Sequence, residues 1–175
     1  NQASNSILSN KSLIGKLNIS KTLFPLAVIQ EGLYKQATVF LLLFAVLLAY
    51  GYMPSANWFA LVPIIGVNYL MIVACSLVGA CLVCMMRDIS MVIGLAMIFL
   101  MFTSGIFWDV RALGDPDKIA LLLAVNPLAF IIDAYRQVLM YNQLPDWPHL
   151  AAVGAGSAAI CLFMANLMQR GSQFL

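Results

Sequence analysis

Three apolar runs constrain this chain more than anything else in it: Trp58–Met86, Ile89–Trp108 and Leu150–Met168 are long and nearly free of charge. A hydrocarbon core of about 30 Å is crossed by roughly 20 helical residues, so each run is long enough to span a bilayer. A fourth, Lys35–Tyr52, spans if Lys35 carries its ammonium back to the interface on its methylene stem. The composition agrees, because 63% hydrophobic and 9% charged residues is far from the roughly 25% charged usage of a soluble domain. The bilayer is the solvent, and the expected fold is an all-α integral membrane protein, a single membrane domain over residues 1–175.

One apolar stretch departs from this pattern. Ile119–Met140 is cut by Asn126-Pro127 and carries Asp133 and Arg136. Asp115-Pro116 and Asn126-Pro127 each pair a good N-cap residue with proline at the first helical position, where its missing N–H costs nothing. Two helices are therefore expected, Pro116–Val125, far too short to cross, and Pro127–Tyr141. A full crossing here would also put Arg170 on the wrong side for the positive-inside rule. Residues 115–141 thus read as a re-entrant helical hairpin in the outer leaflet, with Asn126 buried in protein or lining a wet cavity. Asp133 and Arg136 stand at i,i+3, close enough to pair. They are either a structural ion pair at the interface or the mark of a pathway.

Lys11, Lys16 and Lys21 crowd the N-terminal segment, Arg87 lies between the second and third runs, and Arg170 follows the last. With four crossings these share one side, which makes both ends of the chain cytoplasmic. Tyr50, Tyr52, Trp58 and Phe59, then Phe107, Trp108 and Trp147, flank the outer segments as an interfacial belt. In residues 1–25, Leu13, Ile14 and Leu17 recur at helical spacing among lysines, as in an amphipathic surface helix that ends before Pro25. Such a helix lies on anionic lipid or meets a cytoplasmic partner. The opening on Asn1 followed by a polar stretch leads us to expect a fragment with spans upstream.

Several chemistries find no support. Cys75, Cys81, Cys84 and Cys161 lie inside apolar runs, and the C-x-x-C of Cys81 and Cys84 lacks the other ligands of a zinc site, so no metal is expected. His149 is the sole histidine, and no acid is placed in the sequence to orient it. Asp115 and Asp117 read as caps. No phosphate-cradling G-x-x-x-x-G-K-[ST] occurs, so ATP hydrolysis is not expected on this chain. A net charge of +2 spread over two membrane faces makes no stripe for nucleic acid.

A set of short motifs, in order, resembles one family. Asn10-x-x-Leu13-Ile14-x-Lys16 is followed by Pro25-Leu26-Ala27, Arg87-Asp88-Ile89, Ser104-Gly105-Ile106, Asn126-Pro127-Leu128 and Arg136. They look like the C-terminal part of ABC exporter permeases that move polysaccharides, O-antigen chains or teichoic acids. The family often has proline where Ser20 and Gly105 stand. The resemblance implies six spans in the full chain, two of them ahead of Asn1, and a bacterial inner-membrane location. It implies a separate ATPase subunit that holds ATP and magnesium, a second copy of the chain, surrounding lipid, and a lipid-linked glycan as substrate. Asn10, Leu13, Ile14 and Lys16 would couple to the ATPase. Gln30, Glu31, Arg87 and Asp88 would form a cytoplasmic gate for a charged headgroup, although Arg87-Asp88 also reads as a topology anchor. Ser104, Gly105, Trp108, Asn126, Pro127, Asp133, Tyr135 and Arg136 would form the outer re-entrant gate, with Trp108, Tyr135 and Tyr141 offering flat faces to sugars. The small residues Gly154–Ala159 pack helices within one copy or between copies. A permease of similar architecture for a drug or haem, and an ATP-independent channel, are the competing readings; the last would show inverted repeats or more acids within the spans.

Overall fold

The computed structural model describes residues 23–52, 55–86 and 88–171. The expectations placed on Asn10, Leu13, Ile14, Lys16 and Arg87 lie outside these residues. Six α-helices follow in order: α1 (Leu23–Ala49), α2 (Leu61–Met85), α3 (Ile89–Thr103), α4 (Pro116–Val125), α5 (Pro127–Leu139) and α6 (Trp147–Gly171). A 3-10 turn at Ala56–Ala60 runs directly into α2, and another at Val110–Leu113 precedes α4. The described residues contain no strand, and the chain is an all-α membrane protein.

Three stretches are long and apolar enough to cross a bilayer: Leu26–Ala49, Ala56–Met85 and Trp147–Leu167. Lys35 lies inside the first helix and pairs with Glu31, one turn before it, at 2.7 Å. The run Ile89–Trp108 does not form one full-length spanning helix. Its helix α3 has 15 residues, about 22 Å at 1.5 Å per residue, short of the roughly 30 Å core. Beyond Thr103, Gly105 adopts φ +76° and turns the chain away. The pair α4 and α5 is bent by 115° and adds a further crossing only if both are counted as one broken span.

The most extensive helix contact joins α2 and α6. Lipid tails are as apolar as leucine, so this seam depends on close packing and polar contacts rather than on escape from water. A Cβ at Gly154 would meet Val67 Cγ2 at 3.2 Å. Ser157 is buried, and the Cys161 thiol donates to the Leu70 carbonyl at 3.7 Å. One face of the small-residue run therefore packs within the copy, while Gly156 has nothing within 4 Å.

Two apolar clusters mark the ends of this bundle. At the lower end Ile29 of α1 packs with Leu77 and Ala80 of α2 and Met164 of α6. At the upper end Leu47 of α1, Leu61 and Ile64 of α2 and Leu150 of α6 gather around α5. The upper loops are tied together by Asn142, a left-handed residue (φ 52°) of a type that tolerates that region. Asn57 donates to its carbonyl at 2.8 Å and to its side chain at 2.9 Å, and Ser55 donates to the same side-chain oxygen.

Candidate functional site

The upper end is organised by the elbow between α4 and α5. Asn126 is buried there, and its side-chain oxygen accepts the backbone N–H groups of Leu128 and Ala129 at 3.1 and 3.2 Å. Together with Pro127 at the first helical position, this cap satisfies donors that a buried helix start would otherwise orphan. Asp115 caps α4 in the same way through the Asp117 N–H, at 3.2 Å. The Lys118 ammonium, 2.9 Å from Asp115, holds that carboxyl below the usual range.

Helix α5 is the amphipathic member of the set. Phe130, Ile131, Ala134 and Val138 face the upper core, and Asp133 is buried beside them at 1% exposure. A buried carboxylate persists only where its charge and lone pairs are matched. Arg111 supplies a two-pronged match, Nε to Oδ1 at 3.0 Å and Nη2 to Oδ2 at 3.1 Å, and Gln137 donates to Oδ2 at 2.6 Å. The bond to Asp133 pushes the Arg111 guanidinium above its ordinary value.

Asp133 and Arg136, expected to pair with each other, do not. Arg136 reaches instead to the carbonyls of Gly105 at 2.7 Å and Trp108 at 3.1 Å, with Asp109 at 3.9 Å. The 3-10 turn presents the Arg111 fork edge-on to the carboxylate, a bidentate geometry that outdoes a single contact along one helix. The carbonyls left unpaired where α3 ends are good acceptors for the displaced Arg136.

Asp109 closes the network. It accepts the Arg111 backbone N–H at 3.0 Å and the Tyr141 hydroxyl at 2.9 Å. The Arg111 N–H is the main reason its carboxyl sits below the usual range, and the hydrogen bond to Asp109 raises Tyr141. The Arg111 guanidinium also stands 6.0 Å from the Tyr141 ring centre.

Gly105 permits the turn on which Arg136 rests. A Cβ there would lie 2.8 Å from Val110 Cγ2 and 3.2 Å from the Trp108 carbonyl oxygen. Proline, fixed near φ −65°, cannot adopt the φ of +76° found here.

Between α4 and α5 opens a cleft of about 530 Å³. Pro116, Ile119, Ala120, Leu123 and Ala124 form one wall, and Phe130, Asp133, Gln137, Asp146, His149 and Arg111 the rest. His149 lies flat on Phe130, centres 4.0 Å apart and planes 12° from parallel.

The family of ABC-2 type transporters matches residues 21–140, which include α1 to α5 and every member of the network but Tyr141. The chain belongs to the ABC-2 type transporter family. Among its relatives is an O-antigen export system permease protein RfbA of Klebsiella pneumoniae, 27% identical over 79% of this chain and 53% of the relative. An O-antigen export system permease protein RfbA of Myxococcus xanthus is 19% identical over 93% of this chain and 63% of the relative. The chain thus spans little more than half the length of the curated relatives it matches. No solved structure matches it.

In this ABC-2 chain the residues expected at the outer gate do gather at the upper end, but with particular tasks. Ser104 is fully buried and its hydroxyl donates to the Met101 carbonyl at 3.3 Å. The Trp108 indole N–H is spent on the Phe102 carbonyl at 2.9 Å. Tyr135 sets its ring 5.9 Å from Phe40, with its hydroxyl buried beside Asn68 but outside hydrogen-bonding geometry. At the lower end, Gln30 and Glu31 on α1 are exposed, as is Asp88 just before α3, and Glu31 is engaged by Lys35.

The sequence reading gave no site role to five polar residues, Asp109, Arg111, Gln137, Asp146 and His149. Asp133 and Asp146 line the same cleft as His149, whose ring is set by its stack on Phe130. A signal for Arg111 was available. An acid inside an apolar helix needs a cation, and Arg111, Lys118 and Arg136 are the only cations between Asp88 and Arg170.

Proposed function

We propose that this ABC-2 chain is the permease part of an ATP-driven exporter that passes a lipid-linked polysaccharide of the O-antigen, capsule or teichoic-acid type across a bacterial inner membrane. The observation that carries this reading is the family match over residues 21–140 together with O-antigen export permeases among the relatives. ATP and magnesium belong to a separate subunit, as the resemblance to exporter permeases implies. Asn10, Leu13, Ile14 and Lys16 meet that subunit, and a second copy of the chain completes the path between the two. The lower end is cytoplasmic, where Gln30, Glu31, Arg87 and Asp88 admit the headgroup, and both ends of the chain lie on that side.

In this reading the α4–α5 elbow is a re-entrant gate on the outer side. Arg111 and Asp133 hold it shut, because parting them would leave a carboxylate unmatched in a poorly hydrated site. Arg136 fastens the elbow to the end of α3, so a shift of α3 is transmitted to the gate through the Gly105 and Trp108 carbonyls. Deleting the gene in its host and assaying surface glycan beside lipid-linked glycan inside tests the reading. Loss outside with accumulation inside is expected. An unchanged profile in a host without a second exporter overturns it and turns attention to a small lipophilic substrate.

A further inference from the structure

Helix α4 places Pro116, Ile119, Ala120, Leu123 and Ala124 on one face by helical spacing, and that face borders the cleft, with Leu123 also touching the upper core. Its capping carboxylate and the Lys118–Asp115 pair fix its own first turn. The opposite side is polar and aromatic: the Phe130–His149 stack, the Arg111–Asp133–Gln137 cluster, and the exposed Asp146 carboxylate. The cleft's volume of about 530 Å³ falls within the roughly 300–1,000 Å³ of small-molecule sites, which likewise combine apolar walls with a few fixed polar groups.

We propose that this cleft is a binding site for an uncharged sugar unit. A pyranose ring has the same two-sided character, with C–H groups that suit Ile119, Leu123 and the aromatic stack and hydroxyls that suit a carboxylate. Asp133 has both oxygens occupied by Arg111 and Gln137. Asp146 has no hydrogen-bond or ion-pair partner for its side chain among the described residues. Asp146 is therefore the group that accepts from sugar hydroxyls, while the Arg111–Asp133 pair stays intact as the floor. Charge selects the ligand: two carboxylates, Asp133 and Asp146, face the cleft against the one guanidinium of Arg111. Phosphate and uronate groups are repelled, and an uncharged ring is not. The site rests on the exporter reading only for its purpose, as a place where the emerging glycan touches the gate.

The test uses the full-length permease with its ATPase in lipid nanodiscs, with saturation-transfer NMR on maltose, glucuronic acid and inorganic phosphate as separate probes. Maltose is expected to bind saturably, and both anions at least about tenfold more weakly. Asp146→Asn, at an exposed position, should weaken maltose about tenfold and narrow the gap to glucuronic acid, as loss of one charge-assisted hydrogen bond predicts. Leu123→Trp, which fills the cleft from the apolar wall, should abolish the maltose signal. No maltose binding, equal binding of glucuronic acid, or a maltose signal indifferent to both substitutions overturns the proposal. If maltose fails to bind while gene deletion still strands glycan inside, the site is wrong and the exporter reading stands. If maltose binds as expected while deletion leaves surface glycan unchanged, the site stands and the exporter reading falls.

Discussion

Helix α3 is the most apolar helix of the bundle and buries none of its residues, whereas α5 is the least apolar and buries eight, Asp133 and Gln137 among them. In water that order would be reversed. In a bilayer, an apolar side chain gains little by leaving lipid for protein, so hydrophobicity does not say which face is covered. Burial follows instead from amphipathic patterning and from polar groups that lipid cannot satisfy. Helix α5 has both, and its charges set its neighbours: Asp133 fixes Arg111, and Arg136 fixes the turn at the end of α3. The charge-free helix is thus anchored, through the carbonyls of the turn that follows it, by the charged one.

The contrast is broken most directly at Asp133. Asp133→Ala leaves Arg111 and Gln137 without their acceptor and should cost about 2–4 kcal/mol, the range for orphaning a buried partner, lowered because Arg111 is partly solvated. The Asp133→Ala, Arg111→Ala pair should cost clearly less than the sum of the single losses, measured by thermal unfolding in nanodiscs. Additive losses would mean that the pair contributes nothing as a pair.

Gly105→Ala comes next. It forces a side chain into a left-handed turn and into Val110 Cγ2 at 2.8 Å, with an expected cost of about 1–3 kcal/mol. The loss should appear as faster hydrogen exchange in residues 104–113, since Arg136 would lose the carbonyl geometry it grips. Protection equal to that of the parent would show that α3 is anchored elsewhere.

How legible each region was follows the same division. The caps were readable because Asp-Pro and Asn-Pro act within a few residues: both helices begin where those dipeptides place them, at Pro116 and Pro127. The long runs were readable as membrane helices, though their ends were not. Ile89–Trp108 is uniformly apolar, and only the backbone conformation at Gly105 shows that its helix stops at Thr103. The pairing of Asp133 was misread because spacing along one helix is visible in a sequence, whereas a cation brought in from the preceding turn is a tertiary fact. The cleft was missed for the same reason, since its polar residues come from separate segments and its apolar wall looks like any amphipathic face.

The α2–α6 seam offers a smaller test. Gly154→Leu must push against Val67 and should cost about 1–2 kcal/mol by overpacking, while Gly156→Leu, two residues on, meets open space and should leave the single chain unperturbed. A comparable loss at Gly156 would place that face against another copy, and the monomer to dimer ratio on light scattering would report it.

Acid should act more weakly still. Asp109 has its carboxyl depressed, chiefly by the Arg111 N–H. Its contribution is complete above the ordinary carboxylate value of about 4 and is lost as pH falls through the lower folded value. Loop 105–113 should therefore keep its exchange protection from neutral pH to about pH 4 and loosen below it. Asp109→Asn should remove that pH dependence, with loss of less than about 1 kcal/mol because the site is solvent-screened.

The smallest expected effect is the most informative about α3. Leu95 and Phe99 stand 69% exposed, one turn apart on a helix that buries nothing in its own chain. Truncating both to alanine exchanges side chain–lipid contact for lipid–lipid contact and should change thermal stability by less than about 0.5 kcal/mol. Nothing in one chain resists that change, so a loss above about 1 kcal/mol can arise only if this face is covered by further protein. The near-zero result would leave α3 a lipid-facing helix held by the turn that follows it. The larger one would make it as much a packing element as α5, and the contrast between the two would belong to the isolated chain rather than to the assembled transporter.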